Sequence, residues 1–177
     1  IYDRANRATD VVFLGDETGG AANIVEKWRT TTRYEGDRTT VIPPGGGTPA
    51  TTVNDAQGRT VELRQYTTTA GTGGAYDTTG YSYNRKNQLA TITDPAANTW
   101  TYTYDSDGTG NHLTSAEHRD ASNNVLLHAD YTFDSAGHRA SRTVTENGET
   151  TTTYFVYNDE GAIDTGEADV TALLFFV

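Results

Sequence analysis

The chain has no cysteine and no methionine, and only four prolines and two tryptophans among 177 residues. Without cysteine there are no disulfide staples and no thiolate zinc sites, a usage that fits either a cytosolic or a bacterial extracellular life. Cations are scarce: 13 Lys and Arg stand against 24 Asp and Glu, for a net charge of −11 and a pI near 4.6. That balance argues against a nucleic-acid partner, because affinity for a phosphate backbone rests on cationic side chains displacing counterions. It argues equally against an anionic membrane surface, and no apolar run approaches the roughly 18 residues of a spanning helix. Catalytic signatures are missing too. There is no GxSxG elbow, no P-loop, no GxGxxG opening a helix and no thiol nucleophile, and His112, His118, His128 and His138 stand in no metal-ligand spacing. The first residue is Ile1 and no basic-then-apolar leader follows, so the sequence is expected to be processed or cut from something longer.

What the chain does contain is threonine, roughly a fifth of all residues, with 18 glycines and 11 tyrosines. This is the profile of short strands separated by turns, and the length suggests one domain. An aromatic residue, then Asp or Asn, two free positions, then Gly or Asn recurs along it. The copies are Tyr2-Asp3 with Asn6, Tyr83-Asn84 with Asn87, Tyr104-Asp105 with Gly108, Phe133-Asp134 with Gly137 and Tyr157-Asn158 with Gly161, plus a reduced copy at Asp55 and Gly58. YDTTG from Tyr76 also fits the pattern. Between copies a second turn signal appears, in TDPAANT, RDASNN and ENGE. Each repeat therefore reads strand, turn, strand, turn. In TWTYTY, alternation puts Trp100, Tyr102 and Tyr104 on one face and Thr99, Thr101 and Thr103 on the other. The aromatic ends a strand, the acid bonds its own turn, and Gly or Asn supplies positive φ. AANIVEKWRTT has apolar residues at mixed spacing and suits a strand as well as a helix. Lone polar hairpins are marginal in water, so the repeats are expected to pool their aromatic faces in an all-β array of repeated antiparallel hairpins, one continuous strip.

YDRANR, NDAQGR, YSYNRKNQLATITD, YTYDSDG and YTFDSAGHRASRT resemble the YD repeats of the Rhs family, a bacterial group that also resembles the teneurin shell and the C component of insecticidal toxin complexes. The resemblance covers most of residues 1–161. It implies a β-strip wound into a hollow shell around a C-terminal toxin, hence a non-enzymatic structural segment that is secreted or displayed on a bacterial surface and encloses or presents an effector. The family's closing DPxGL-like self-cleavage segment is absent, and Asp94-Pro95 lies in a turn, so no protease residues carry over. With about six repeats, the resemblance implies that the strip forms a partial β-shell. The repeat region is expected at 1–161. A divergent tail at 162–177 ends on Leu173, Leu174, Phe175, Phe176 and Val177, and such an end seeks burial against this sheet or a neighbouring chain.

One stretch carries metal-binding character: from Asp105, DSDGTGN places Asp105, Asp107 and Thr109 at the first three ligand offsets of a calcium loop, with Gly110 at the sixth. Its twelfth position is Ala116, so a plain turn is the better reading. No catalytic residue and no cofactor is assigned, and GGGTP after Pro44 reads as a loop. The expected partners are other parts of a longer chain or further copies of this one, met through strand edges, with carbohydrate a possible ligand of the Tyr-rich face. A self-assembling extracellular fibre or carbohydrate-binding adhesion module is the second functional reading, and a carbohydrate-active enzyme the third.

Overall fold

The computed structural model describes residues 1–16, 24–68, 72–105 and 111–158. The chain forms two compact units, Ile1–Tyr81 and Ser82–Val177. In the first, β1 (Asp10–Asp16), β2 (Ile24–Glu35), β3 (Arg38–Ile42), β4 (Ala50–Asn54), β5 (Thr60–Tyr66) and β6 (Tyr76–Tyr83) follow one another. Each pairs antiparallel with its neighbour in sequence. The second unit repeats the plan with β7 (Leu89–Thr93), β8 (Thr99–Tyr104), β9 (Leu113–Arg119), β10 (Val125–Phe133), β11 (Arg139–Glu146) and β12 (Glu149–Tyr154). The protein is all-β, a meander of hairpins in each unit, and among the described residues there is no helix.

Local chemistry accounts for these elements. The ambiguous AANIVEKWRTT stretch supplies β2, because Ile24, Val25, Trp28 and the following threonines favour a pleated strand. Trp28 lies opposite Phe13 of β1, and the two rings stack at 5.6 Å. The alternation read in TWTYTY holds in β8, with Trp100, Tyr102 and Tyr104 half-buried and Thr101 and Thr103 exposed. Asn147 and Gly148, with φ of 53° and 82°, join β11 to β12 in a two-residue turn whose positive angles suit the strands' twist. The YDTTG match at Tyr76 is different: it lies inside β6, where Asp77 pairs with Gln65 and the strand period overrides the turn signal.

The core is thin. Among the described residues the buried apolar side chains are Val53, Tyr66, Ala116 and Ala129, whereas Val11, Phe13, Leu14, Ile24 and Trp28 are all exposed. Ladder hydrogen bonds, turn locks and rings lying on the sheet therefore stand where a globular domain would place a second packed layer. The apolar tail lies outside the described residues.

Candidate functional site

The repeated feature is a turn, and its geometry is the same in six places. At Asp3, Asp55, Asn84, Asp94, Asp120 and Asp134 the side-chain Oδ1 accepts the backbone N–H two residues on, at 2.8–2.9 Å. The same atom accepts the N–H four residues on, at 2.8–3.0 Å. The backbone closes the loop twice more: residue i accepts from i+3 and donates to the carbonyl of i+4, as in Gly58 to Asp55 and Asp55 to Arg59, both 2.9 Å. The i+3 residue sits at positive φ in every copy, from 60° at Asn6 to 86° at Gly137.

A second side chain completes each lock. Where residue i is Asp, residue i+4 offers a donor to Oδ2: Arg7 at 2.8 Å, Arg59 at 2.7 Å, and Asn98 and Asn124 at 2.8 Å each. At Asp134 the partner is the His138 ring, at 3.3 Å. Where residue i is Asn84 the polarity reverses, and its Nδ2 donates to Oε1 of Gln88 at 2.7 Å. The turns read from sequence as two kinds, aromatic-acid and TDPAANT-like, are thus one structure, since the ring takes no part in closing it. These bonds hold the carboxylates below the ordinary aspartate range. Asp55 is lowered first by the Arg59 side chain, Asp94 by the Asn98 amide, and Asp134 by the backbone N–H of His138.

The aromatic residue has another task, which is to seat the following repeat on the turn before it. Tyr34, Tyr104 and Tyr157 donate their hydroxyls to the carbonyls of Ala8, Leu89 and Arg139, at 3.2, 2.9 and 2.9 Å. In each case the acceptor lies five residues after a turn Asp or Asn. The i+4 side chain of that turn can also cover the ring: Arg7 sits 4.3 Å over Tyr34, and His138 stacks on Tyr157 at 4.9 Å. Phe133 lacks a hydroxyl and is held by stacking on His112 at 4.4 Å. Gly137 is required there twice over, by its φ of 86° and because a Cβ would stand 3.2 Å from Nε2 of His112. Tyr83, Tyr104, Phe133 and Tyr157 are all half-buried, as the packing of rings between repeats predicts. Tyr2, in the first copy, is 67% exposed.

The Tyr104-Asp105 turn is the variant, with three residues inserted before its locking side chain. Asp105 donates its N–H to His112 O at 3.1 Å, and its Oδ2 meets Nδ1 of His112 at 2.9 Å, so that half of the lock is closed over a longer loop, while Oδ1 of Asp105 is buried without a hydrogen-bond partner among the described residues. Of the calcium candidates, Asp107 and Thr109 lie outside the described residues. Among the described residues no three His, Asp or Glu side chains gather as a metal site. Two features escaped sequence reasoning. Tyr34, which stands near the end of β2 before a two-residue turn and outside the motif spacing, seats its hydroxyl on the Asp3 turn as the motif tyrosines do on theirs, and the histidines sit on rings or between acids: His118 stacks on Trp100 at 4.5 Å, and His128 lies between Glu117 and Asp130. Sequence reasoning missed the first because Gly36 follows Glu35 directly, so the motif's spacing of three is absent.

Residues 83–116 match the family model described as RHS Repeat. No curated protein matches the chain in sequence. Among solved structures it is similar to a porin-like protein from Bacteroides uniformis, at 14% identity and a TM-score of 0.44, covering 92% of this chain and 77% of that one. It is also similar to TcdB2-TccC3-Cdc42, at 12% identity and a TM-score of 0.39, and to TcdB2-TccC3-TEV, at 11% and 0.34. The chain spans 13% and 12% of the length of those two.

Proposed function

We propose that this RHS-repeat chain is a non-enzymatic structural segment of a bacterial YD-repeat shell, exported to or beyond the cell surface, whose hairpins wall a space that holds or presents a C-terminal effector. The observation that carries the reading is the docking of the Tyr34, Tyr104 and Tyr157 rings, and of Phe133 through His112, on the preceding turns. It is a coupling between repeats, and it spends the tyrosine hydroxyls, the turn carboxylates and the i+4 cations on architecture. The thin core supports the same reading, because a sheet that buries so few apolar side chains needs a covering partner on one face.

A second reading, a self-assembling fibre or adhesion module, draws on β1. This is the first strand in the order, and the exposed Val11, Phe13 and Leu14 beside Ile24 and Trp28 offer an apolar surface for another strand. Reading the coding frame to both sides of this segment and digesting the whole product with protease separates the two. The shell reading expects further repeats and a C-terminal domain cleaved only after the repeats are denatured. A stop codon directly after the segment, or a C-terminal domain cut as fast in the native protein as in the denatured one, contradicts it.

A further inference from the structure

In the first unit, register sets one row of side chains across four strands: Arg33 of β2 opposite Thr40 of β3, Thr40 opposite Thr51 of β4, and Thr51 opposite Arg64 of β5. Direct cross-strand partners share a face, so two guanidinium groups flank two hydroxyls. The hydroxyls are the most deeply buried polar groups among the described residues of the unit, with Thr40 4% and Thr51 2% exposed. With Glu35, Arg38, Tyr66 and Thr72 the row lines a cleft of about 220 Å³.

The hydrogen-bond balance at the cleft floor is incomplete. Thr40 Oγ1 and Thr51 Oγ1 are 2.8 Å apart, and Thr51 Oγ1 and the Tyr66 hydroxyl 3.3 Å. Three hydroxyl hydrogens serve two bonds, so one O–H is left to point at whatever occupies the cleft. The arginines differ in the same sense. Arg64 is forked onto Glu62 at 2.7 and 3.3 Å, and Arg38 is bonded to Asp37 at 3.1 Å. Arg33 makes no hydrogen bond or ion pair with any described residue. The site thus offers one free guanidinium fork and one free hydroxyl donor on a buried polar floor, the donor set that a carboxylate accepts in bidentate fashion. Glu35, Asp37 and Glu62 match the three arginines charge for charge, which favours a monoanion over a phosphate dianion. A cleft below the roughly 300–1,000 Å³ of drug-sized sites admits one small polar frame.

We propose that the Arg33–Thr40–Thr51–Arg64 row binds the carboxylate of a small polyhydroxylated acid, of which a hexuronic acid unit is the type. The frame's hydroxyls would meet the polar walls while its carboxylate takes the Arg33 fork and the free hydroxyl. Calorimetric titration of the full chain with sodium galacturonate, with galactose and inorganic phosphate as comparators, tests this. The expected result is saturable millimolar binding of galacturonate, weaker binding of phosphate and none of galactose. Arg33→Gln, at an exposed position, is expected to weaken galacturonate binding by about tenfold while leaving the circular dichroism spectrum unchanged, whereas Arg85→Gln in the other unit leaves the binding as it is. Thr51→Val removes part of the hydroxyl floor and is expected to weaken binding in a protein whose β spectrum is retained. Should Thr51→Val unfold, Arg33→Gln alone decides. Absence of saturable galacturonate binding, equal binding of galactose, tighter binding of phosphate, or unchanged affinity in Arg33→Gln would each overturn the proposal.

Discussion

At the scale of the residue, the turn lock is a small code with complementary polarity: Asp demands a donor four positions on, Asn an acceptor. Asp55 with Arg59 and Asn84 with Gln88 are its two solutions. Asp55→Asn is expected to lower the melting temperature of the chain by about 2–4 °C, because it sets the amide N–H of the new side chain against the Arg59 guanidinium, donor against donor, whereas Arg59→Gln costs less, since its amide can donate to Oδ2 as Asn98 and Asn124 do. The double variant rebuilds the Asn–Gln pair and should recover most of the loss; melts that fall additively would mean that the two side chains act independently. The i+3 position makes a second residue-scale prediction. Ala97 holds a φ of 63° where the other copies place Asn or Gly. A β-carbon is strained in that region, so Ala97→Gly is expected to stabilise the chain by about 0.5–1 kcal/mol in urea denaturation, although glycine gives back part of the gain through a more disordered unfolded state.

At the scale of the element, alternation was legible and register was not. The period of two in TWTYTY sorted the faces of β8 correctly, and the Asp-x-x-Gly spacing located the turns. Three things stayed hidden, each for a physical reason. The i+4 partner varies among Arg, Gln, Asn and His, four side chains with one shared function, so no single residue type marks it. The ring-to-turn bond joins residues 15 to 26 positions apart, a distance that only strand pairing sets. The arginine–threonine row draws one residue from each of four strands, so it emerges only from register. Register also explains a pair of small residues. Ala116 and Ala129 face each other across β9 and β10 and are 5% and 2% exposed, in a row with Tyr102 and Val144. A larger side chain has nowhere to go, and Ala129→Leu is expected to cost about 1–3 kcal/mol, read as a lower urea midpoint at unchanged slope.

At the scale of the whole molecule, the same lock repeated along the chain makes stability depend on ionised aspartates. Asp3, Asp55, Asp94, Asp120 and Asp134 are all held below the ordinary value of 3.8. Because the folded value is the depressed one, their contribution is fully present above the unfolded value and is lost as pH falls through the folded values. Melting temperature should therefore fall progressively on acidification below about pH 4. A melting temperature that stays level down to pH 2 would show that the carboxylates do not hold the turns.

The claim that the repeats are mechanically coupled, with turns locked and the Tyr34, Tyr104, Phe133 and Tyr157 rings seated on the turns before them, is tested most directly by native-state hydrogen exchange. The backbone amides of Arg59, Gln88, Asn98, Asn124 and His138 each donate to a turn Oδ1. The coupled-repeat account predicts that they are protected to the same degree as the strand amides of their own unit, and that Tyr104→Phe lowers protection at Gln88 as well as around residue 104 itself. Turn amides that exchange at the rate of an unstructured peptide while the strands stay protected, or a Tyr104→Phe variant whose effect stops at its own strand, would contradict it.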